Sequence, residues 1–131
     1  MADSTSALCA ASERGRIDLA QLLIDHGARV SGSGSLPAAA GQGNIEMVRF
    51  LIEQGAEIDE IGVHDFGDRR KKKEEGTALH KAAAKGNIDL AALLLEKGAG
   101  LKVEDPLGRT PVVRAREEGQ EEMVRFLKSK E

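Results

Sequence analysis

The chain reads as an all-α solenoid: four helix-turn-helix repeats in single file, joined by hairpin loops of which one is shortened and one enlarged. Three observations predict this. Gly43-Asn44-Ile45 and Gly86-Asn87-Ile88 each open a helical stretch that closes on Gly55-Ala56 and Gly98-Ala99, and Gly15, Ile17 and Gly27-Ala28 repeat the arrangement at the start of the chain. In these three copies the closing glycine follows the interior one by 12 residues (15 to 27, 43 to 55, 86 to 98). Between the paired glycines the apolar residues recur at helical spacing. Near-copies of this kind stack so that each covers its neighbour's apolar flank, which leaves function to the outer surface.

The first helix of each copy is short and rich in small residues: Leu8-Cys9-Ala10-Ala11, Leu36-Pro37-Ala38-Ala39-Ala40, Leu79-His80-Lys81-Ala82-Ala83 and Val112-Val113-Arg114-Ala115. Alanine pairs let two helices approach closely. Thr77 and Thr110 are placed to cap the third and fourth of these helices, Pro111 suits a first turn where its missing N–H has no partner to lose, and Ser35 is expected to cap the helix containing Pro37. Gly15, Gly43, Gly86 and Gly119 then end the first helices, and Gly27, Gly55 and Gly98 the second, where a left-handed backbone is needed.

The second helices carry Ile17, Leu19, Leu22, Leu23 and Ile24; Ile45, Met47, Val48, Phe50, Leu51 and Ile52; and Ile88, Leu90, Leu93, Leu94 and Leu95. Each stripe is wide because each helix is expected to touch the copy before it and the copy after it. In the last copy Glu121 and Lys128 replace apolar residues seven positions apart, on one helix face. A closing repeat, which no further copy covers, needs this polar outer face; ordinary drift in a fraying last helix is the other reading.

Thr77-Ala78-Leu79-His80, Ala82-Ala83, Gly86, Leu93-Leu94-Leu95 and Gly98-Ala99 together resemble an ankyrin repeat. Asp105-Pro106-Leu107-Gly108-Arg109-Thr110-Pro111 is similar to that family's hairpin and following helix start, with Val112-Val113 in place of Leu-His. The resemblance covers most of residues 5–128. It implies one ankyrin-type domain over residues 1–131, with repeats near 4–30, 31–60, 75–103 and 105–131. His80 is expected to brace the turn before its helix, and Cys9 to be a small packed residue at the equivalent position.

The connections distinguish this chain. The interior glycines are spaced by 28, 43 and 33 residues, and only the last matches an ankyrin period. Gly55 to Thr77 spans 22 residues against 12 from Gly98 to Thr110, so the second connection, residues 57–76, is enlarged. The first is shortened, and Ser31-Gly32-Ser33-Gly34-Ser35 is expected to form a tight turn there. Long loops in compact repeats often carry function. Ile61, Val63 and Phe66 read either as an apolar anchor for a partner or as a plug folded against adjacent copies.

Arg69 to Lys73 is a basic run, yet from Asp59 to Glu75 five basic residues face six acidic ones. No aromatic lies within it to stack on bases, so a solvated charge run outweighs the alternative, a nucleic-acid or acidic-phosphate site centred on Arg69, Arg70 and Lys73. Asp65-Phe66-Gly67 is a chance tripeptide, unaccompanied by a phosphate loop. His26, His64 and His80 lack metal-ligand spacing to Cys9, and no set of residues assembles an active site. The expectation is a non-enzyme with no cofactor and no metal.

Composition agrees. The 131 residues include no Trp or Tyr and are 2% aromatic, which suits stacked repeats better than a central core. One cysteine excludes an internal disulfide, and a formal charge of -3 gives no general attraction to nucleic acid or anionic membrane. No run reaches membrane-spanning length, and the polar first residues do not resemble a secretory signal. A cytoplasmic monomer is expected, with nuclear import through the basic run as the second location.

The resemblance further implies a concave wall, built from first helices and hairpins, that binds another protein as scaffold, adaptor or steric inhibitor. Carried over by position, that wall comprises Glu13 and Arg14; Gln42; Lys81 and Lys85; and Arg114, Glu117 and Glu118, with Lys73, Leu107 and Arg109 on the hairpins. Ala10, Gly41, Ala84, Glu74 and Gly76 lie among them. The second copy is bare, leaving room for a bulky side chain from a partner.

Overall fold

The computed structural model describes residues 4–61 and 75–131. Val63, Phe66, Arg69, Arg70 and Lys73 fall outside these described residues. Eight helices follow one another: α1 (Ser4–Glu13), α2 (Ile17–Asp25), α3 (Ser35–Gly41), α4 (Ile45–Glu53), α5 (Ala78–Lys85), α6 (Ile88–Glu96), α7 (Pro111–Glu117) and α8 (Glu121–Ser129). There is no strand among the described residues. Each odd-numbered helix packs against the even-numbered helix that follows it, and α1, α3, α5 and α7 pack in sequence against one another. Alanines make that inner row close: Ala11, Ala39, Ala40, Ala82, Ala83 and Ala115 are buried to 1% exposure or less. The outer row, α2, α4, α6 and α8, is spaced by Leu, Ile, Met and Phe.

One apolar cluster runs the length of the array from Leu8 to Leu127. Equivalent positions fill it: Leu8, Leu36 and Leu79 from the first helices, and Met47, Leu90 and Met123 from the second, are all 0–1% exposed. Glu121 and Lys128 face solvent.

The helix ends follow the sequence with two exceptions. Gly15, Gly43, Gly86 and Gly119 have φ of 69–72°, and Gly27, Gly55 and Gly98 of 95–101°. At Gly15 and Gly86 a second requirement applies, because a side-chain amide of the next repeat occupies the space a Cβ would fill. A Cβ on Gly15 would lie 2.5 Å from Asn44 Nδ2 and one on Gly86 2.8 Å from Gln120 Cδ, whereas one on Gly43 would make an ordinary contact with Asn87 Nδ2 at 3.4 Å. Asn44 and Asn87 also cap their own helices, their side-chain oxygens accepting from the N–H of Met47 (3.0 Å) and Leu90 (3.1 Å). Gln120 makes no such cap; it donates instead to Ala84 O at 3.2 Å.

Thr77 caps α5 as expected, and His80 returns the bond in a capping box. The first exception is Thr110, whose side chain makes no capping bond. The second is Ser35, which lies inside α3; the N-cap is Gly34, at φ 78°. Ser33 takes the capping role, its Oγ accepting from the N–H of Ser35 at 3.2 Å. The backbone must turn left-handed at residue 34, so the hydroxyl that meets the helix start comes from one residue earlier.

Candidate functional site

The inner row presents a groove of ≈ 540 Å³ spanning all four first helices. Pro37, Ala38 and Gly41 of α3 form its low centre, and Glu13, Gln42, Lys81, Lys85 and Glu118 rise around it, with Ala84, Glu75 and Arg114 completing the lining. The depression exists because the second repeat alone has a small residue in both of two rows of equivalent positions. One row reads Ala10, Ala38, Lys81, Arg114; the other reads Glu13, Gly41, Ala84, Glu117. The sequence-predicted wall residues Glu13, Gln42, Lys81, Lys85, Arg114 and Glu118 therefore share one cavity.

Others lie elsewhere. Arg14 and Glu117 are exposed, Leu107 is 48% exposed at the tip of the last hairpin, and Ile61 is half-buried. Arg109 and Arg114 depart from the expected open wall because the structure uses both internally. Arg114 is 5% exposed and donates to Glu75 O at 3.0 Å, with Asp105 Oδ2 at 3.8 Å. Arg109 pairs with Asp105 (2.8 Å) and with Glu117 (2.9 Å). The chain at Glu75 passes over Arg114 and removes it from solvent, so this arginine shapes the wall without being fully presented on it.

Asp105 organises that end. Its Oδ1 accepts from the N–H groups of Leu107 (3.0 Å) and Arg109 (2.8 Å), and its own N–H donates to Arg109 O at 2.8 Å. Burial works to raise its carboxyl, but the Arg109 N–H and guanidinium outweigh that and hold it below the usual carboxylate range. Burial pushes the Arg114 guanidinium down, with the Arg109 charge in the same direction and Asp105 opposing. His80 ties the finger to the preceding repeat: its Nε2 lies 2.7 Å from Arg109 O, and its Nδ1 accepts from the Thr77 N–H at 3.2 Å. A ring that accepts at Nδ1 and donates at Nε2 is neutral, and burial accordingly lowers its pKa from 6.5. The expected brace is present. At the equivalent place Cys9 Sγ sits 3.8 Å from Gly34 O, half-buried, its thiol raised chiefly by burial. Among the described residues no group of three or more His, Cys, Asp or Glu side chains could hold a metal ion.

Three acidic residues at the base of the enlarged connection escaped sequence reasoning. Glu57 accepts from Ser31 Oγ at 2.9 Å, Asp59 from the Gly100 N–H at 2.9 Å, and Glu60 from the Gly32 N–H at 2.6 Å. Glu60 is 8% exposed and its Oε1 has no hydrogen-bond partner. Burial raises its carboxyl, and the backbone N–H groups of Gly32, Leu36 and Gly34 only partly offset this. The shortened first turn and the base of the enlarged loop are thus one contact. No sequence signal pairs residues 28 apart across two irregular connections.

An inner row of short alanine-rich helices, a surface groove and turns braced from repeat to repeat define an all-α repeat array. The family model for ankyrin repeats (3 copies) matches residues 2–62 and again 61–131, and the chain belongs to the ankyrin-repeat family. Ankyrin repeats are generally protein–protein interaction modules. A comparison with curated proteins gave no match. No helix among the described residues is long and apolar enough to cross a membrane.

Proposed function

We propose that this chain is a protein-binding module, acting as scaffold, adaptor or steric inhibitor, that seats a segment of its partner in the groove over α3. The observation that supports this reading is the groove's bare centre at Ala38 and Gly41, rimmed by Glu13 and Glu118 and by Lys81 and Lys85. A low, uncharged floor admits a bulky side chain. A rim of both signs sets the orientation of an incoming chain more than its affinity. The loop residues Ile61, Val63 and Phe66 extend the same reading, as an apolar anchor for the partner.

Gly41→Arg tests it. A Cβ at Gly41 meets only Lys81 Cδ, at 3.7 Å, so the longer side chain enters the groove without disturbing the backbone. Capture of partner proteins from a lysate should be lost with Gly41→Arg while the helical circular dichroism and melting temperature stay within error. Unchanged capture of the same proteins would overturn the groove as the binding surface.

A further inference from the structure

The charges of the groove follow the order of the repeats. Glu13 stands one repeat before Gly41 in the same row of equivalent positions, and Lys85 one repeat after Gln42 in the next row. Both are exposed. Between them the floor of Pro37, Ala38 and Gly41 carries no charge. The stem of Lys81 leans over that floor, its Cδ 3.7 Å from the place of a Gly41 Cβ, and gives the seat an apolar wall. Glu75 and Arg114, of opposite sign, also line the groove but are buried, and Arg14 lies outside it. Across the array the groove is therefore acidic, apolar and basic in three successive repeats, with Glu118 following in the fourth.

We infer that the groove takes a polyproline-II segment of its partner carrying a basic, a bulky apolar and an acidic side chain at every third residue. The basic one meets Glu13, the apolar one sits over Ala38 and Gly41, and the acidic one meets Lys85. This rests on the groove as the binding surface and adds the chemistry of what enters it. The spacing carries the inference. The first helices pack one on the next, and packed helices lie about 8–10 Å apart, so a segment crossing them must present side chains on one face at that interval. A polyproline-II chain does so every third residue, at about 9 Å. Same-face residues of a β-strand fall at about 7 and 13 Å, out of step with the repeats. An α-helix matches at every seventh residue, but a body about 10–12 Å thick would ride on Glu13 and Lys85 without reaching a floor that is low at one repeat only. Because a polyproline-II backbone makes no internal hydrogen bonds, its polar groups stay open to the exposed Gln42 amide at the rim. Glu118, one repeat beyond Lys85, opposes a second carboxylate and confines the acidic position to one.

The chain contains no Trp or Tyr, so a tryptophan in a peptide reports its own burial by fluorescence. The probe is Arg-Pro-Pro-Trp-Ala-Pro-Glu with blocked ends, made in both chain orders and titrated against the full chain. One order should bind saturably with a blue-shifted emission. Pro-Arg-Pro-Trp-Ala-Glu-Pro, of the same composition with its charges at the second place, should bind about fivefold more weakly or worse. Replacing the peptide's glutamate by glutamine should cost about threefold with the parent chain and nothing with Lys85→Gln, and replacing its arginine should behave likewise with Glu13→Gln. Equal binding of the second-place peptide, charge losses unchanged by the protein variants, tighter binding of a helical peptide with its charges seven places from the tryptophan, or no binding of either order up to millimolar would each overturn the inference. Both variants alter exposed side chains, and circular dichroism checks that each folds. Lysate capture by Gly41→Arg is read beside these titrations. Capture lost while the peptides fail to discriminate removes this inference and leaves the groove standing; capture retained removes the groove, and this inference with it.

Discussion

The first and last connections of this array are both tight turns leading into a first helix, yet they reach closure in different ways. Around Asp105 the finger satisfies itself: one carboxylate takes two backbone N–H groups and a guanidinium from within five residues, and His80 docks the result on the preceding repeat. The Ser31–Gly34 turn has lost the residues that would do this. Its Gly32 N–H is met by Glu60, a residue from the next connection. A short finger is thus kept shut by a group belonging to the enlarged loop, and the two irregular connections of the chain are mechanically one. What a shortened loop loses in self-sufficiency it recovers by borrowing, at the cost of burying a carboxylate with an oxygen unmet.

Removing Asp105 should break the self-sufficient finger most severely. Asp105→Ala leaves Arg114 and Arg109 without their buried counter-charge, and a loss of about 3–5 kcal/mol in urea unfolding is expected. A loss below about 1 kcal/mol would show that the finger is held by His80 and packing instead. Gly34→Ala forces a side chain into the left-handed region at the shortened turn and should cost about 1–2 kcal/mol, read as a lower denaturation midpoint with unchanged slope. Glu60→Gln keeps the shape and removes the buried charge, so stability should change by no more than about 1 kcal/mol. A much larger loss would mean that Gly32, Gly34 and Leu36 require the ionised form.

Acid should separate the two turns by sign. His80 has its pKa lowered from 6.5, so as pH falls below 6.5 the unfolded chain takes up the proton first and stability at the last finger declines. Protonation would also place a hydrogen on Nδ1, against the Thr77 N–H that it now accepts. Glu60 is raised from 4.5, so on acidification the folded chain takes up that proton first, and the shortened turn gains stability as the pH falls toward 4.5. Hydrogen exchange between pH 7 and pH 5 should show protection falling around Thr77 and Arg109 and holding or rising at Gly32 and Gly34. The same direction at both sites would refute the contrast.

The fold was legible because repetition writes the same instruction several times. Glycines at fixed offsets, alanine-rich first helices and leucine-rich second helices each depend on contacts within a repeat or with an identical neighbour. Asp105 was half legible: an aspartate ahead of Pro-Leu-Gly marks a turn, but its engagement of Arg114 depends on how α7 meets the chain at Glu75. Arg114 looked like a wall residue because its equivalents Ala10, Ala38 and Lys81 lie along that row, and only the passage of residue 75 over it explains its burial. Ser33 and Glu60 were not legible, since a left-handed residue shifted the cap by one place and a distant turn supplied the carboxylate's partner. The groove stood in the sequence as an absence, the missing side chains of Ala38 and Gly41.

The meeting of Gly15 with Asn44, Gly43 with Asn87 and Gly86 with Gln120 has a bearing on how such a chain could be lengthened or cut. Gly15 and Gly86 are sockets moulded to an amide of the following unit, so at those two junctions glycine and amide belong together as a matched set. Excising or duplicating a block from one interior glycine's successor to the next reproduces a working joint at both seams. A crossover that substitutes a larger residue for the socket alone would push the amide aside and hold the newcomer in a left-handed backbone at that step.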